Sequence, residues 1–160
     1  MNIKAKFSVI LLLIVFCSTA CNKYLSLKPE DGIIREEFWK TKEQLASAVS
    51  GCYGSLLADP LVENLFLWGE LRADMLAPGT GVKASELNVM NVNINSSNPI
   101  TDWSAVYKTI NNCNTVLDFG PEVLKSDNTL TPEVLKGYMG EARALRALMY
   151  FYLARSFGDV

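Results

Sequence analysis

The stretch 131–157 constrains the fold more than any other part of the chain, because its apolar residues keep helical spacing along its length. Thr131 suits the N-cap, Pro132 suits the first helical position, and Glu133 favours the positive end of the helix dipole. One face carries Leu135, Tyr138, Met139, Ala142, Leu145, Met149 and Leu153. After Ala144 apolar residues surround nearly the whole circumference, so the sequence predicts a central helix covered on several sides.

Two charged residues of this helix fall on its apolar faces. Arg146 lies in the middle of the apolar stripe, and Glu141 lies among Leu145, Leu148 and Tyr152. A buried ion is tolerated only when it is paired and hydrogen-bonded. The two interpretations are a structural ion pair that fixes how helices dock and a ligand site. The absence of histidine and of a nearby acidic cluster favours the structural pair.

The N-terminus carries an export signature. Two lysines precede an almost wholly apolar run at 7–16, which is too short to span a bilayer and has the length of a signal-peptide core. Small residues then lead to Cys21, as in a bacterial lipoprotein cleavage site, so residues 1–20 are predicted to be a lipoprotein signal peptide and Cys21 the lipid attachment site. The rival interpretation is an ordinary secretory signal cut near Ala20.

The cysteines of the chain and its lack of histidine limit the kinds of reactive site that the domain can contain. Once Cys17 leaves with the signal and Cys21 carries lipid, Cys52 and Cys113 remain, both on apolar helix faces. They either form a disulfide or act as two small buried hydrophobes, and the second interpretation is preferred because pairing depends on an unknown separation. No metal-ligand spacing and no Cys/His nucleophile pair exist, so no catalytic or metal residue, and no cofactor, is predicted.

Charge argues against a nucleic-acid partner. Removing the signal leaves 13 basic residues against 17 acidic ones, whereas a nucleic-acid binder needs a basic face.

Residues 21–40 are predicted to be a lipid tether and lead-in segment, and 41–160 a helical domain. Trp39 is interpreted as a core residue at the start of the first helix rather than a platform for a sugar ring.

The first helix of this domain is predicted over 41–58. Thr41 and Gln44 form a capping box, and a clean apolar stripe follows it. Gly51 and Gly54 each cost about 1 kcal/mol relative to alanine, which suggests close approach by another helix. The stripe consists of Leu45, Ala48, Val49, Cys52, Tyr53, Leu56 and Leu57.

A second clear helix is predicted from 101 or 102 to Gly120-Pro121. Asn114 falls in the middle of its apolar face and must find hydrogen-bond partners, for which Arg146 and Glu141 are candidates. Between the two helices, 61–77 is either helical or extended, and 88–98 is predicted to be a loop with a weak strand near 89–94.

The chain stops just after the apolar last helix, which suggests that it is the front part of a longer protein or pairs with another. Several short motifs follow one another along it: Cys21 followed by Lys23-Tyr24-Leu25 and Pro29, Phe38-Trp39-Lys40-Thr41, Gly51-Cys52-Tyr53, 103–110 with Asn114, 141–147, and Phe157-Gly158-Asp159-Val160. In order and spacing these motifs resemble the N-terminal region of the SusD/RagB family of outer-membrane nutrient-binding lipoproteins. They cover nearly all of the chain after the signal, although Ser26 stands where the family often has an acidic residue.

The resemblance implies a mostly α fold, with a tetratricopeptide-like helical scaffold that forms the N-terminal part of a larger α-rich SusD-like fold. It also implies a lipid-anchored protein of the outer membrane, facing outward, that captures glycans or related nutrients for a TonB-dependent SusC-like transporter. In that family the helical scaffold supports the protein and contacts the transporter, so no sugar-contacting residue is assigned here.

Two other functions remain open from the sequence. One is a purely structural helical adaptor lipoprotein without a ligand site of its own. The other is a secreted hydrolase, which would need opposed carboxylates or an activated nucleophile. Asp74, Glu86 and Asp102 do not have a spacing that places any two together, so the non-enzymatic interpretation is preferred.

Overall fold

A computed structural model describes residues 38–160, which form one compact unit. Its five α-helices are α1 Lys42–Leu56, α2 Leu61–Glu70, α3 Ala84–Met90, α4 Ser104–Ser126 and α5 Pro132–Phe157, with a short 3-10 turn at Pro99–Thr101 before α4. The part of the chain that is described contains no strand. The prediction of a mostly α fold is therefore confirmed, while the signal peptide, Cys17 and Cys21 lie outside the described residues.

The ends of α1 and α5 follow the capping rules. The Thr41 hydroxyl accepts a hydrogen bond from the Gln44 amide at 3.3 Å, and the Gln44 side chain accepts one from the Thr41 amide at 3.0 Å. At α5 the Thr131 hydroxyl accepts a bond from the Val134 amide at 3.4 Å. Both helices begin where the sequence predicted, because these side chains satisfy amides that have no partner within the helix.

The predicted end of the second clear helix is wrong. α4 continues through Gly120 and Pro121 to Ser126, although an internal proline costs about 3 kcal/mol. Val123 is fully buried and Leu124 packs on the same core, and burying each such side chain stabilises by about 1.5–3 kcal/mol. Burial beyond the proline therefore offsets the lost backbone bond.

The interval between α1 and α4 is more helical than predicted. Residues 61–70, left open by the sequence, form α2, and the Trp68 indole donates to the Ile100 carbonyl at 2.6 Å. The weak strand expected near 89–94 is wrong, because α3 occupies 84–90. The Glu86 side chain accepts a bond from the Lys83 amide at 2.9 Å and starts this helix, while Val89 is buried.

The core consists of two apolar clusters. In the first, α1, the part of α4 from Cys113 onward and the first half of α5 meet around Leu45, Cys113 and Leu135. In the second, α2, α3, the start of α4 and the end of α5 meet around Trp68, Val106 and Leu153. Helices α4 and α5 run through both clusters. The expectation that α5 is covered on several sides is wrong for its second half, where Leu148, Tyr150 and Phe151 are 41%, 39% and 57% exposed.

Close helix approach occurs at a different glycine from those expected. A Cβ at Gly51 or Gly54 would meet nothing within 4 Å, so the predicted contact there is wrong. A Cβ at Gly120 would lie 3.0 Å from Leu135 Cδ1 of α5 and 3.9 Å from Leu45 Cδ1 of α1. The tight junction of the three helices is therefore on α4.

Among residues 38–160, no single helix is long and apolar enough to cross a membrane. The bent pair α1 and α2, which meet at 47°, passes such a test together by length and composition. In α1, Leu45, Val49 and Cys52 of the predicted stripe are buried in the first cluster, whereas Tyr53 and Leu57 are exposed.

Candidate functional site

Arg146 and Asn114 join the two long helices by one hydrogen bond. Arg146 Nη1 donates to Asn114 Oδ1 at 2.7 Å, and both side chains are half-buried. The bond connects α5 to α4 across the first cluster, and a hydrogen bond from a charged donor is stronger than a neutral one. The bond therefore links α4 to α5 directly.

Glu141 is placed differently from the prediction. It is exposed, and no ion pair joins it to Arg146 in the described structure. Five helical residues correspond to a rotation of about 140°, so Glu141 and Arg146 leave α5 on different sides. Glu141 instead faces Tyr53 of α1, whose pKa is raised chiefly by a hydrogen bond to that carboxylate.

Cys52 and Cys113 are both buried and free, and their side chains are in contact. The pKa of the Cys52 thiol is raised, first by its hydrogen bond to Cys113 and then by burial. The pKa of Cys113 is lowered, because its sulfur accepts that bond and the Arg146 charge lies nearby, and these effects exceed that of burial. The sequence had placed both residues on apolar faces but could not place them side by side.

Trp39 lies in the core, as the sequence indicated. Its ring stacks on Phe119 of α4 with centroids 5.1 Å apart and planes inclined by 12°, and it packs on the first cluster. Phe38 meets the same indole edge-on at 4.9 Å. This ring is therefore engaged by protein on both sides.

A cleft of about 610 Å³ lies where the loop before α4 meets the end of α5. Its apolar part is aromatic: the Trp103 ring lies 6.4 Å from Tyr107 and 5.1 Å from Phe157, measured between centroids. Its polar part comes from the preceding loop and consists of Asn95, Ser96, Ser97, Asn98, Thr101, Asp102 and Ser104.

The polar side of this cleft is held in place by short-range hydrogen bonds. The Ser97 amide and hydroxyl both donate to Asn95 Oδ1, at 3.1 and 2.6 Å. The Ser104 amide and hydroxyl donate to the Asp102 carboxylate at 2.9 and 2.8 Å, and these bonds lower the Asp102 pKa. The carboxylate is thus an ionised acceptor with its orientation fixed.

Aromatic faces beside fixed amide, hydroxyl and carboxylate groups suit a ligand that is apolar on one side and rich in hydroxyls at its edge. The Trp103 indole nitrogen is buried without a hydrogen-bond partner in the described residues. Sequence reasoning missed this cleft, although the Asn- and Ser-rich run directly before two aromatic residues was a usable signal. Within residues 38–160 no group of His, Cys, Asp and Glu could hold a metal ion.

Comparison with known proteins gives the family. The profile of a SusD-like family, described as starch-binding and associating with the outer membrane, matches residues 23–160. The chain belongs to the SusD-like family. The SusD-like resemblance seen in the sequence is thereby confirmed.

Three SusD-like proteins of Formosa agariphila are similar to the chain, at 31%, 27% and 23% identity. The alignments cover 99%, 98% and 94% of this SusD-like chain. The chain spans 30% of the length of each of these relatives. No solved structure matches it at a significant level.

Proposed function

We propose that this chain is the N-terminal part of a non-enzymatic surface lipoprotein that binds glycans or related nutrients and delivers them to a SusC-like TonB-dependent transporter. The observation that carries the proposal is the family match across residues 23–160, with its description of starch binding at the outer membrane. The much greater length of the relatives supports a ligand site completed by segments beyond this chain. An acylated Cys21 anchors the protein in the outer membrane, facing outward.

The cleft around Trp103 and Tyr107 is the place where this chain contacts a glycan. A sugar ring has an apolar face that packs on an aromatic ring, and its hydroxyls pair with amide and carboxylate oxygens. The Asp102 carboxylate supplies such oxygens at the edge of the cleft, while Asn95, whose Oδ1 already accepts two bonds from Ser97, offers its side-chain NH₂ as a donor.

The glycan contact is tested with soluble starch and a glycan array. Tyr107→Ala in the full chain should weaken binding about two- to tenfold, the loss expected for one aromatic contact. Tyr53→Ala is the matched control, since Tyr53 and Tyr107 are 44% and 39% exposed and Tyr53 lies outside the cleft. If Tyr107→Ala and Tyr53→Ala bind glycan equally well, the cleft is not the glycan contact. If the wild-type protein binds no glycan, the alternative of a structural adaptor is favoured.

The anchor is tested by membrane fractionation with labelled palmitate. Wild-type protein should carry the label and sediment with outer membranes, because acyl chains contribute about 0.8 kcal/mol per buried CH₂. Cys21→Ala should lose the label and the membrane association, whereas Cys17→Ala, within the same leader, should keep both. A Cys21→Ala variant that still carries the label would refute the proposed lipid site.

A further inference from the structure

Two thiols meet at the centre of the interface between α1 and α4. Cys52 and Cys113 are each 0% exposed and belong to the same apolar cluster, in which Val49 of α1 and Val116 of α4 are also buried. The interaction of the two thiols is the chief cause of the raised pKa of Cys52 and of the lowered pKa of Cys113. Among residues 38–160 these two are the only cysteines, and both are free.

We propose that Cys52 and Cys113 form a disulfide that ties α1 to α4 in the exported protein. The inference rests on the proposed function in one respect: thiols of exported proteins meet disulfide oxidants, whereas cytosolic thiols are kept reduced. The bond would join two helices that are distant in sequence and already packed in one buried cluster.

The chemistry is thiol–disulfide exchange with a disulfide oxidant, either glutathione disulfide or a protein disulfide. The Cys113 thiolate attacks one sulfur of the oxidant, and one oxidant thiolate leaves. The Cys52 thiol gives up its proton to solvent and its sulfur attacks the Cys113 sulfur, which releases the second oxidant thiolate. Two cysteine thiols are oxidised and one oxidant disulfide is reduced to two thiols.

Cys113 is the better first nucleophile of the pair. The Arg146 guanidinium of α5 lies near its sulfur and favours the thiolate, and this interaction does not depend on α1, whereas the Cys52 hydrogen bond forms only when α1 docks. Full burial keeps an external oxidant away from the folded interface. The exchange therefore takes place while α1 is undocked, and docking then shields the finished bond from reductants.

The test is a peptide map of the full chain taken from outer membranes after alkylation of free thiols. Tryptic cleavage places Cys52 in peptide 43–72 and Cys113 in peptide 109–125, apart from Cys17 and Cys21. The expected result is a linked pair of these two peptides that separates on reduction. Recovery of both as alkylated peptides from the membrane fraction would overturn the disulfide and leave the proposed function standing.

A second experiment is independent of export. The purified full chain, unfolded in urea and refolded in a buffer of oxidised and reduced glutathione, should yield the same linked peptides and melt several degrees higher than the reduced chain. Cys52→Ser should leave Cys113 alkylated and abolish that difference in melting temperature. Free thiols after refolding, or linkage to Cys17 or Cys21, would overturn the inference, whereas retention of the chain in the cytoplasm would count against the proposed function alone.

Discussion

At the scale of single residues, Arg146 shows what helical periodicity can and cannot predict. Its position in an apolar stripe predicted a buried charge in need of a partner, and Asn114 accepts its hydrogen bond. The same reasoning misplaced Glu141, because the sequence does not reveal which sides of α5 the other helices cover. Glu141 meets Tyr53 at the surface instead.

The hydrogen bond between Arg146 and Asn114 should contribute measurably to stability. Arg146→Ala is expected to lower the free energy of unfolding by about 1.5–3 kcal/mol, since it leaves Asn114 without its charged donor. Arg143→Ala, an exposed arginine on the same helix, should change it by less than about 0.5 kcal/mol. Urea denaturation of both variants gives these values.

A double-mutant cycle separates the bond from the packing of the side chains. Asn114→Ala combined with Arg146→Ala should be less damaging than the two single effects added, by about 0.5–3 kcal/mol. Strict additivity would show that the two residues act independently and that the bond at 2.7 Å adds nothing to stability.

At the scale of the helices, local signals fixed where α1 and α5 begin but failed at Gly120-Pro121. A glycine followed by a proline ordinarily ends a helix. Here Gly120 is the point at which α5 approaches α4, and the buried residues beyond it continue the helix. A glycine can end a helix or allow another helix to pack closely against it. Which of the two occurs depends on tertiary packing, which cannot be read from the local sequence.

Substitutions at Gly120 and at Gly51 should therefore change the free energy of unfolding in opposite directions. Gly120→Val is expected to lower the free energy of unfolding by about 1–3 kcal/mol, because its Cβ would press on Leu135 at 3.0 Å. Gly51→Ala should raise it by about 0.5–1 kcal/mol, since its Cβ meets open space and alanine favours the helix. Thermal unfolding followed by circular dichroism measures both, and a stabilising Gly120→Val would contradict the close approach.

At the scale of the whole molecule, the two apolar clusters share α4 and α5. Damage to one cluster is therefore expected to unfold the other as well. The sequence predicted the helical class and, through its motifs, the family, because apolar spacing and motif order are properties of the chain alone. It could not predict the division into two clusters or the aromatic cleft, since both depend on how residues distant in sequence meet.

Variants in each cluster test this shared unfolding. Leu45→Ala in the first cluster and Leu153→Ala in the second, both at 0% exposure, should each cost about 2–5 kcal/mol. In each variant, near-ultraviolet signals and helical signals should shift to the same new midpoint, whereas Leu57→Ala at 79% exposure should shift neither. Separate transitions would show that the clusters unfold independently.

The brief connection between α4 and α5 also sets an order of assembly. Only residues 127–131 separate these helices, whereas 57–103 intervene between α1 and α4. Closing the longer loop costs roughly 2 kcal/mol more chain entropy. We therefore expect the hairpin of α4 and α5 to form first and α1 to dock onto it later. The rate at which α1 docks then limits how quickly a newly made chain completes its first cluster.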